Sequence, residues 1–190
     1  MPKPLRAFVA VPLPAPVIDF LQQIQQQLHS PMINVRWVRP ENIHLTLKFL
    51  GDIEPSQVPV IGAQLDAAAV STPAFTLNAR GVGVFPNRRK PRVLWVGLDG
   101  ETGMLKTLQT TVETVLAAVG FKREKRAFRA HLTIGRPRKR MDPDDLGGSL
   151  DRLQTAASAP FRVGRVCLYQ SVLKPSGAEY TVLYSAPLSD

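Results

Sequence analysis

Ile43-His44-Leu45-Thr46-Leu47-Lys48-Phe49-Leu50-Gly51 has a shorter echo further along the chain, Ala130-His131-Leu132-Thr133-Ile134-Gly135-Arg136. In an extended strand, residues two apart share a face. His44 and Thr46 therefore point one way while Leu45, Leu47 and Phe49 enter a core; His131, Thr133 and Gly135 oppose Leu132 and Ile134 in the same manner. Two of the three histidines of the chain fall in these copies. One histidine on a strand is more often a structural residue than a catalyst. The same imidazole and hydroxyl pair on two strands calls for a shared reason.

The sequence around each copy follows one order. Arg6 to Leu13 reads as an opening strand stopped by Pro14, and Val17, Ile18, Leu21, Ile24 and Leu28 recur at helical spacing up to Pro31. Val35 to Val38 and Ile43 to Leu50 read as strands, Gly51 and Asp52 as a turn, and Val58, Ile61 and Leu65 as the apolar stripe of a second helix, which completes a first lobe. Phe75 to Val84 and Val93 to Leu98 then predict paired strands. Met104, Leu105, Leu108, Val112, Val115, Leu116 and Val119 form the clearest helical stripe, with Gly120 as its stop. Ala130 to Gly135 is a short strand, Asp144 to Ala157 a helix, and Arg162 to Leu173 and Tyr180 to Ala186 strands around a turn at Pro175, Ser176 and Gly177. Strand, helix, strands, helix runs roughly twice. The expected product is one α+β domain over residues 1–190, two-lobed and pseudo-duplicated, with mainly antiparallel sheets forming a central cleft and helices packed outside.

Composition narrows the classes of function. Hydrophobic residues at 44% and charged residues at 21% are ordinary for a soluble globular protein and exclude a disordered chain. No stretch has the eighteen or so uninterrupted apolar residues of a membrane span, and Ala7 to Val11 is too short and too soon broken by Pro12 to be a signal peptide. The cytoplasm is the expected location, and a monomer the expected state. Cys167 is the only cysteine, so neither an intramolecular disulfide nor a cysteine-based metal cluster can form, and it is expected to be a small core residue. A formal charge of +9 and a pI near 10.2 favour polyanionic partners. Most of that charge lies between Lys122 and Arg140, where nine Lys and Arg accompany the single acid Glu124; a smaller group, Arg88, Arg89, Lys90 and Arg92, sits between two predicted strands. His29 lies outside the repeat, at the end of the first helix, and is read as a surface or capping residue.

The paired motifs suggest a definite chemistry. Imidazole titrates near pH ~6.5, so two of them can be held with one protonated and one neutral. Opening a cyclic phosphodiester needs a base for water and an acid for the departing ribose oxygen, on opposite sides of phosphorus. Neither a nucleophilic residue nor a metal is required, and no cofactor is expected. Thr46 and Thr133 can donate to the non-bridging oxygens, and Arg136, five residues after His131, can neutralise charge that develops there.

In these motifs the chain resembles the two-histidine phosphoesterases with paired His-x-Thr-x motifs, and among them the bacterial and archaeal RNA 2′,3′-cyclic phosphodiesterases related to 2′-5′ RNA ligases. The resemblance spans nearly the whole chain. It takes in Arg6-Ala7-Phe8-Val9-Ala10, His44 to Gly51, Val93-Leu94-Trp95-Val96-Gly97-Leu98 and His131 to Arg136. It implies RNA with 2′,3′-cyclic phosphate ends as substrate and a 2′-phosphate product, with His44 as proton donor and His131 as proton acceptor. Some members of that family also join RNA halves through a 2′,5′ linkage, the same chemistry reversed with a ribose hydroxyl as attacker.

Three rival readings have their own signatures. A zinc site needs three or four ligands, and the neighbours of the second motif are basic. A non-catalytic RNA-binding module would use the basic stretch with Trp37, Phe85 and Phe128 as stacking rings, although each also suits a core. A phosphodiesterase of small cyclic nucleotides, or of an ADP-ribose cyclic phosphate, would keep the histidine pair and show no preference for a longer substrate.

Overall fold

A computed structural model describes residues 3–29, 33–139, 143–175 and 177–190, with nothing said of the side chains of residues 143–145. Among the described residues, nine strands and four helices follow in the order β1 (Leu5–Val11), α1 (Ala15–Leu28), β2 (Val35–Trp37), β3 (Leu45–Ile53), α2 (Val58–Val70), β4 (Phe75–Phe85), β5 (Val93–Gly100), α3 (Thr102–Ala118), β6 (Leu132–Pro137), α4 (Pro143–Arg152), β7 (Phe161–Val163), β8 (Arg165–Lys174) and β9 (Gly177–Pro187). Two sheets form, β3-β1-β8-β9 and β2-β6-β5-β4-β7, and every strand pair in them is antiparallel. The mixed α+β class with antiparallel sheets is thus as expected. Pro31, Ser176 and Arg140, which the sequence reading used as a helix stop, a turn residue and a basic residue, lie outside the described residues.

Each sheet draws on both halves of the chain, which the sequence order alone does not suggest. β2 leaves its neighbours in sequence and pairs with β6, so that Arg36 lies opposite Arg136 and Trp37 opposite Gly135. The last two strands return to the first: Phe8 faces Tyr169 across β1 and β8. The first pass of the repeat therefore does not close a lobe by itself. The segment after β2 crosses between sheets, starting where the Val38 amide donates to the Ile134 carbonyl at 3.0 Å. It then makes a 3-10 turn at Pro40–Asn42, and the Asn42 side-chain amide donates to the Ala178 carbonyl of β9 at 2.7 Å.

The core sits between the sheets and the helices. The stripes read from the sequence bury as predicted, with Val17, Leu21, Ile24 and Leu28 of α1, Ile61 and Leu65 of α2, and Leu105, Leu108, Val112 and Leu116 of α3 all covered. Burying a Leu or Ile side chain contributes about 1.5–3 kcal/mol. α3 ends as its glycine implies: Gly120 has φ +97° and its amide donates to the Ala117 carbonyl. Cys167 is buried and unpaired with any other cysteine.

Four local readings need correction. β3 runs on through Gly51 and Asp52 to Ile53 instead of turning, because Gly51 adopts φ +77° and absorbs a bulge that skips Leu50. A second irregularity skips Leu47, after which the alternation inverts: Lys48 turns inward at 5% exposure and Phe49 outward at 73%. Phe49 is therefore not a core residue. The strand read as Arg162 to Leu173 is two strands broken at Gly164, β7 in one sheet and β8 in the other. The helix read as Asp144 to Ala157 stops at Arg152, since Ala157 and Ser158 are drawn into extended pairing with Arg80 and Ala79 of β4.

Candidate active site

His44 and His131 each sit one residue ahead of a strand, β3 and β6, and each is fixed in the same way. The His44 Nδ1 lies 2.8 Å from the Asn42 carbonyl and the His131 Nδ1 lies 2.6 Å from the Arg129 carbonyl, two residues upstream in both cases. A carbonyl oxygen can only accept, so Nδ1 carries the proton on both rings. Nε2 is left as the reactive nitrogen, a base when the ring is neutral and an acid when it is protonated.

The two rings have aromatic surroundings of different kinds. His44 stacks on Phe8 at 4.5 Å with an interplanar angle of 26°, and Tyr180 of β9 meets it edge-on at 5.1 Å. Phe8 is only 3% exposed because Phe49, Tyr169 and Tyr180 also pack on its ring, at 6.1, 5.2 and 5.1 Å. Burial pushes the His44 imidazole below the usual histidine range, against the opposing effect of its hydrogen bond to Asn42. His131 is half-buried, with Phe85 edge-on at 5.1 Å and the Arg129 guanidinium over that same ring, 5.9 Å from its centroid. Phe85 in turn leans on Trp95 at 5.0 Å, and Trp95 lies opposite Gly83, where a Cβ would collide with the indole.

The other expected site residues take up related positions. Thr46 lies opposite Ala10 on β1 and Thr133 opposite Trp95 on β5, both half-buried. Arg136 is exposed, and its charge, with those of Arg6 and Arg36, acts on the Tyr180 hydroxyl. Tyr180 thereby joins the second motif's strand to the ring of His44. Burial nevertheless raises Tyr180 above the ordinary phenol value, and Tyr169 is pushed up to about 12 by burial and by Cys167, so both hydroxyls stay protonated. Of the rings suggested for stacking, Trp37 packs against Gly135, Phe85 supports His131, and Phe128 is half-buried.

Lys48 was not singled out by sequence reasoning, although it lies inside the first motif. Its ammonium is buried and forms a 2.7 Å ion pair with Glu113 of α3, and it also donates at 2.7 Å to the Lys122 carbonyl. Glu113 receives the Glu124 amide at 3.3 Å. The basic segment leading to His131 is therefore tied down against the strand that follows His44. Phe8 and Tyr180 were missed too, because nothing local marks a strand aromatic as the floor of a site. Among the described residues, no group of three or more His, Cys, Asp or Glu side chains could hold a metal ion.

The LigT like Phosphoesterase family model matches the chain twice, over residues 11–95 and 96–180, with one histidine motif in each match. The chain belongs to this family. The phosphoesterase is 36% identical over 178 residues to the RNA 2′,3′-cyclic phosphodiesterase of Methanothermobacter thermautotrophicus, covering 93% of this chain and 95% of that one. It is 35% identical to the protein of the same name from Archaeoglobus fulgidus, covering 93% and 96%. Among solved structures, Thermus thermophilus TT0787 superposes with a TM-score of 0.78 at 28% identity, covering 96% and 97%. Escherichia coli LigT in complex with 3′-AMP shares the fold at 23% identity and a TM-score of 0.77, covering 99% and 100%. No helix of the phosphoesterase, among the described residues, is long and apolar enough to cross a membrane.

Proposed function

We propose that this phosphoesterase opens 2′,3′-cyclic phosphates at RNA ends to 2′-phosphates, without a metal, using His44 as proton donor and His131 as proton acceptor. The observation that carries the reading is the matched fixing of the two imidazoles, each held through Nδ1 by the carbonyl two residues upstream at the head of a repeated strand. That arrangement leaves Nε2 of each ring for substrate. The relatives named as RNA 2′,3′-cyclic phosphodiesterases supply the substrate class.

In the proposed step, His131 Nε2 takes a proton from water while the water oxygen bonds to phosphorus. The bond from phosphorus to the ribose 3′-oxygen breaks, and His44 Nε2 delivers a proton to that oxygen. The product carries a 2′-phosphate and a 3′-hydroxyl. Thr46 and Thr133 donate to the non-bridging oxygens, and Arg136 offsets the added negative charge. With a ribose 5′-hydroxyl in place of water, the same displacement makes a 2′,5′ linkage, and its reversal breaks one.

The test is turnover of an oligonucleotide ending in a 2′,3′-cyclic phosphate, in chelator, by the wild type, His44→Ala and His131→Ala, with the product phosphate located. We expect a 2′-phosphate from the wild type and a loss of about 10²–10⁴-fold in each variant, the usual size of a general acid or base contribution. Equal activity in all three proteins, or loss of wild-type activity on chelation, would refute the mechanism.

A further inference from the structure

Charges from both sheets converge on Tyr180 of β9. Its ring meets His44 edge-on at 5.1 Å. Asn42 ties the two together, since its side-chain amide donates to the Ala178 carbonyl of β9 while its own carbonyl accepts from His44 Nδ1. Arg6 belongs to the same face. It stands two residues ahead of Phe8 on β1, so the two side chains point one way, and Phe8 is the ring on which His44 stacks. From the other sheet come Arg36 and Arg136, both exposed and directly opposite each other on β2 and β6. All three guanidinium groups lie close enough to the Tyr180 hydroxyl for their charges to act on it, and no carboxylate is among the groups that do. None of the three is in an ion pair among the described residues, not even Arg6 with Asp52, its cross-strand neighbour on β3. Like charges gathered without acids repel one another, and an anion among them removes that cost.

The last nucleotide of a cyclic-phosphate RNA end carries two phosphates, the cyclic one across its 2′ and 3′ oxygens and the one on its 5′ oxygen. The first belongs with His44 and His131. We infer that Arg6 and Arg36 hold the second, the 5′-phosphate of the terminal nucleotide, while Arg136 serves the cyclic phosphate. A guanidinium suits that task because its planar fork donates parallel N–H bonds to phosphate oxygens. The inference rests on the cyclic-phosphate reading of the active site and deepens it. Arg6 and Arg36 come from different sheets, so a phosphate held by both spans the cleft and fixes the ribose beside His44. Such a grip is the same before and during the reaction, and it therefore acts on KM.

The experiment compares adenosine 2′,3′-cyclic phosphate with the same compound carrying a 5′-phosphate, as a ratio of kcat/KM, for the wild type, Arg6→Gln, Arg36→Gln and the double variant. Both side chains are exposed, so neither substitution should disturb folding. In the wild type the 5′-phosphate should raise kcat/KM about tenfold or more, through KM, which is the size of hydrogen bonds to a charged group. The double variant should lose nearly all of that gain and each single variant part of it, while all three open the compound without a 5′-phosphate as the wild type does. An undiminished gain in the double variant overturns the subsite. So does an equal loss on both compounds, which would mean that the arginines act through Tyr180 on His44. A wild type active on both compounds with no gain, or active on longer oligonucleotides alone, leaves the cyclic-phosphate reading standing and defeats only the subsite. A wild type that opens none of these removes that reading and this inference with it.

Discussion

The direction of the His44 shift has a kinetic consequence that follows from the proposed role. A donor must be protonated, and burial drives the free His44 to lose its proton at a pH below the ordinary value near ~6.5. As pH rises through that lowered value the donor form disappears, so kcat/KM, which reports the free enzyme, should already be falling at pH ~6.5. The limbs of the profile belong to the imidazole pair jointly. A kcat/KM that keeps climbing to pH 8 would show that the reaction does not need His44 in its protonated form. Lys48 supports a second prediction at this scale. Lys48→Met strands the Glu113 carboxylate, whose Oε1 has no partner among the described residues. It should cost about 3–5 kcal/mol, the usual penalty for breaking a buried pair from one side. Lys48→Met/Glu113→Leu should recover much of that loss in denaturant melts, because neither charge is then buried alone. A single variant as stable as the wild type would show that the ammonium carries little energy.

β3 shows how far a strand can be read from its residues. His44, Thr46 and the apolar partners Leu45 and Leu47 follow simple alternation, which is why the motif and its echo before β6 were legible. Beyond Leu47 the two bulges invert the pattern, and nothing local in Lys48-Phe49-Leu50-Gly51 announces them apart from the glycine. Only pairing with β1 reveals that Lys48 is the buried residue and Phe49 the exposed one. Gly51 tests this account. A Cβ there would meet nothing within 4 Å, so substitution is penalised by its φ of +77° alone. Gly51→Ala should therefore cost about 1–2 kcal/mol, with Gly51→Asn milder, since asparagine tolerates that region. A change below about 0.3 kcal/mol in thermal or chemical melts would indicate that the bulge relaxes elsewhere, against the strain expected for a side chain at positive φ.

At the scale of the molecule, the repeat visible in the sequence and the sheets visible in the structure do not divide the chain alike. The family model matches residues 11–95 and 96–180 as two units, yet β2 from the first belongs to the sheet of the second, and β8 and β9 from the second complete the sheet of β1 and β3. Helical stripes and strand alternation are local and survive inspection of the sequence. Which strands share a sheet is decided by long-range pairing, and the short β2, three residues long, carries no sign of its destination. A fragment of residues 1–95 would have β1 with one face neighbour missing and Val17 and Leu21 of α1 without their full cover. A fragment of residues 96–190 would hold β6 without β2 and with β5 cut after Trp95, and β8 without β1. Each would expose apolar surface that its own residues cannot cover, so neither should give a cooperative unfolding transition or dispersed amide spectra alone. If the interleaved sheets make the chain a single domain, mixing the two fragments should restore both the transition and turnover of the cyclic phosphate; a fragment that folds cooperatively by itself would instead establish two independent units.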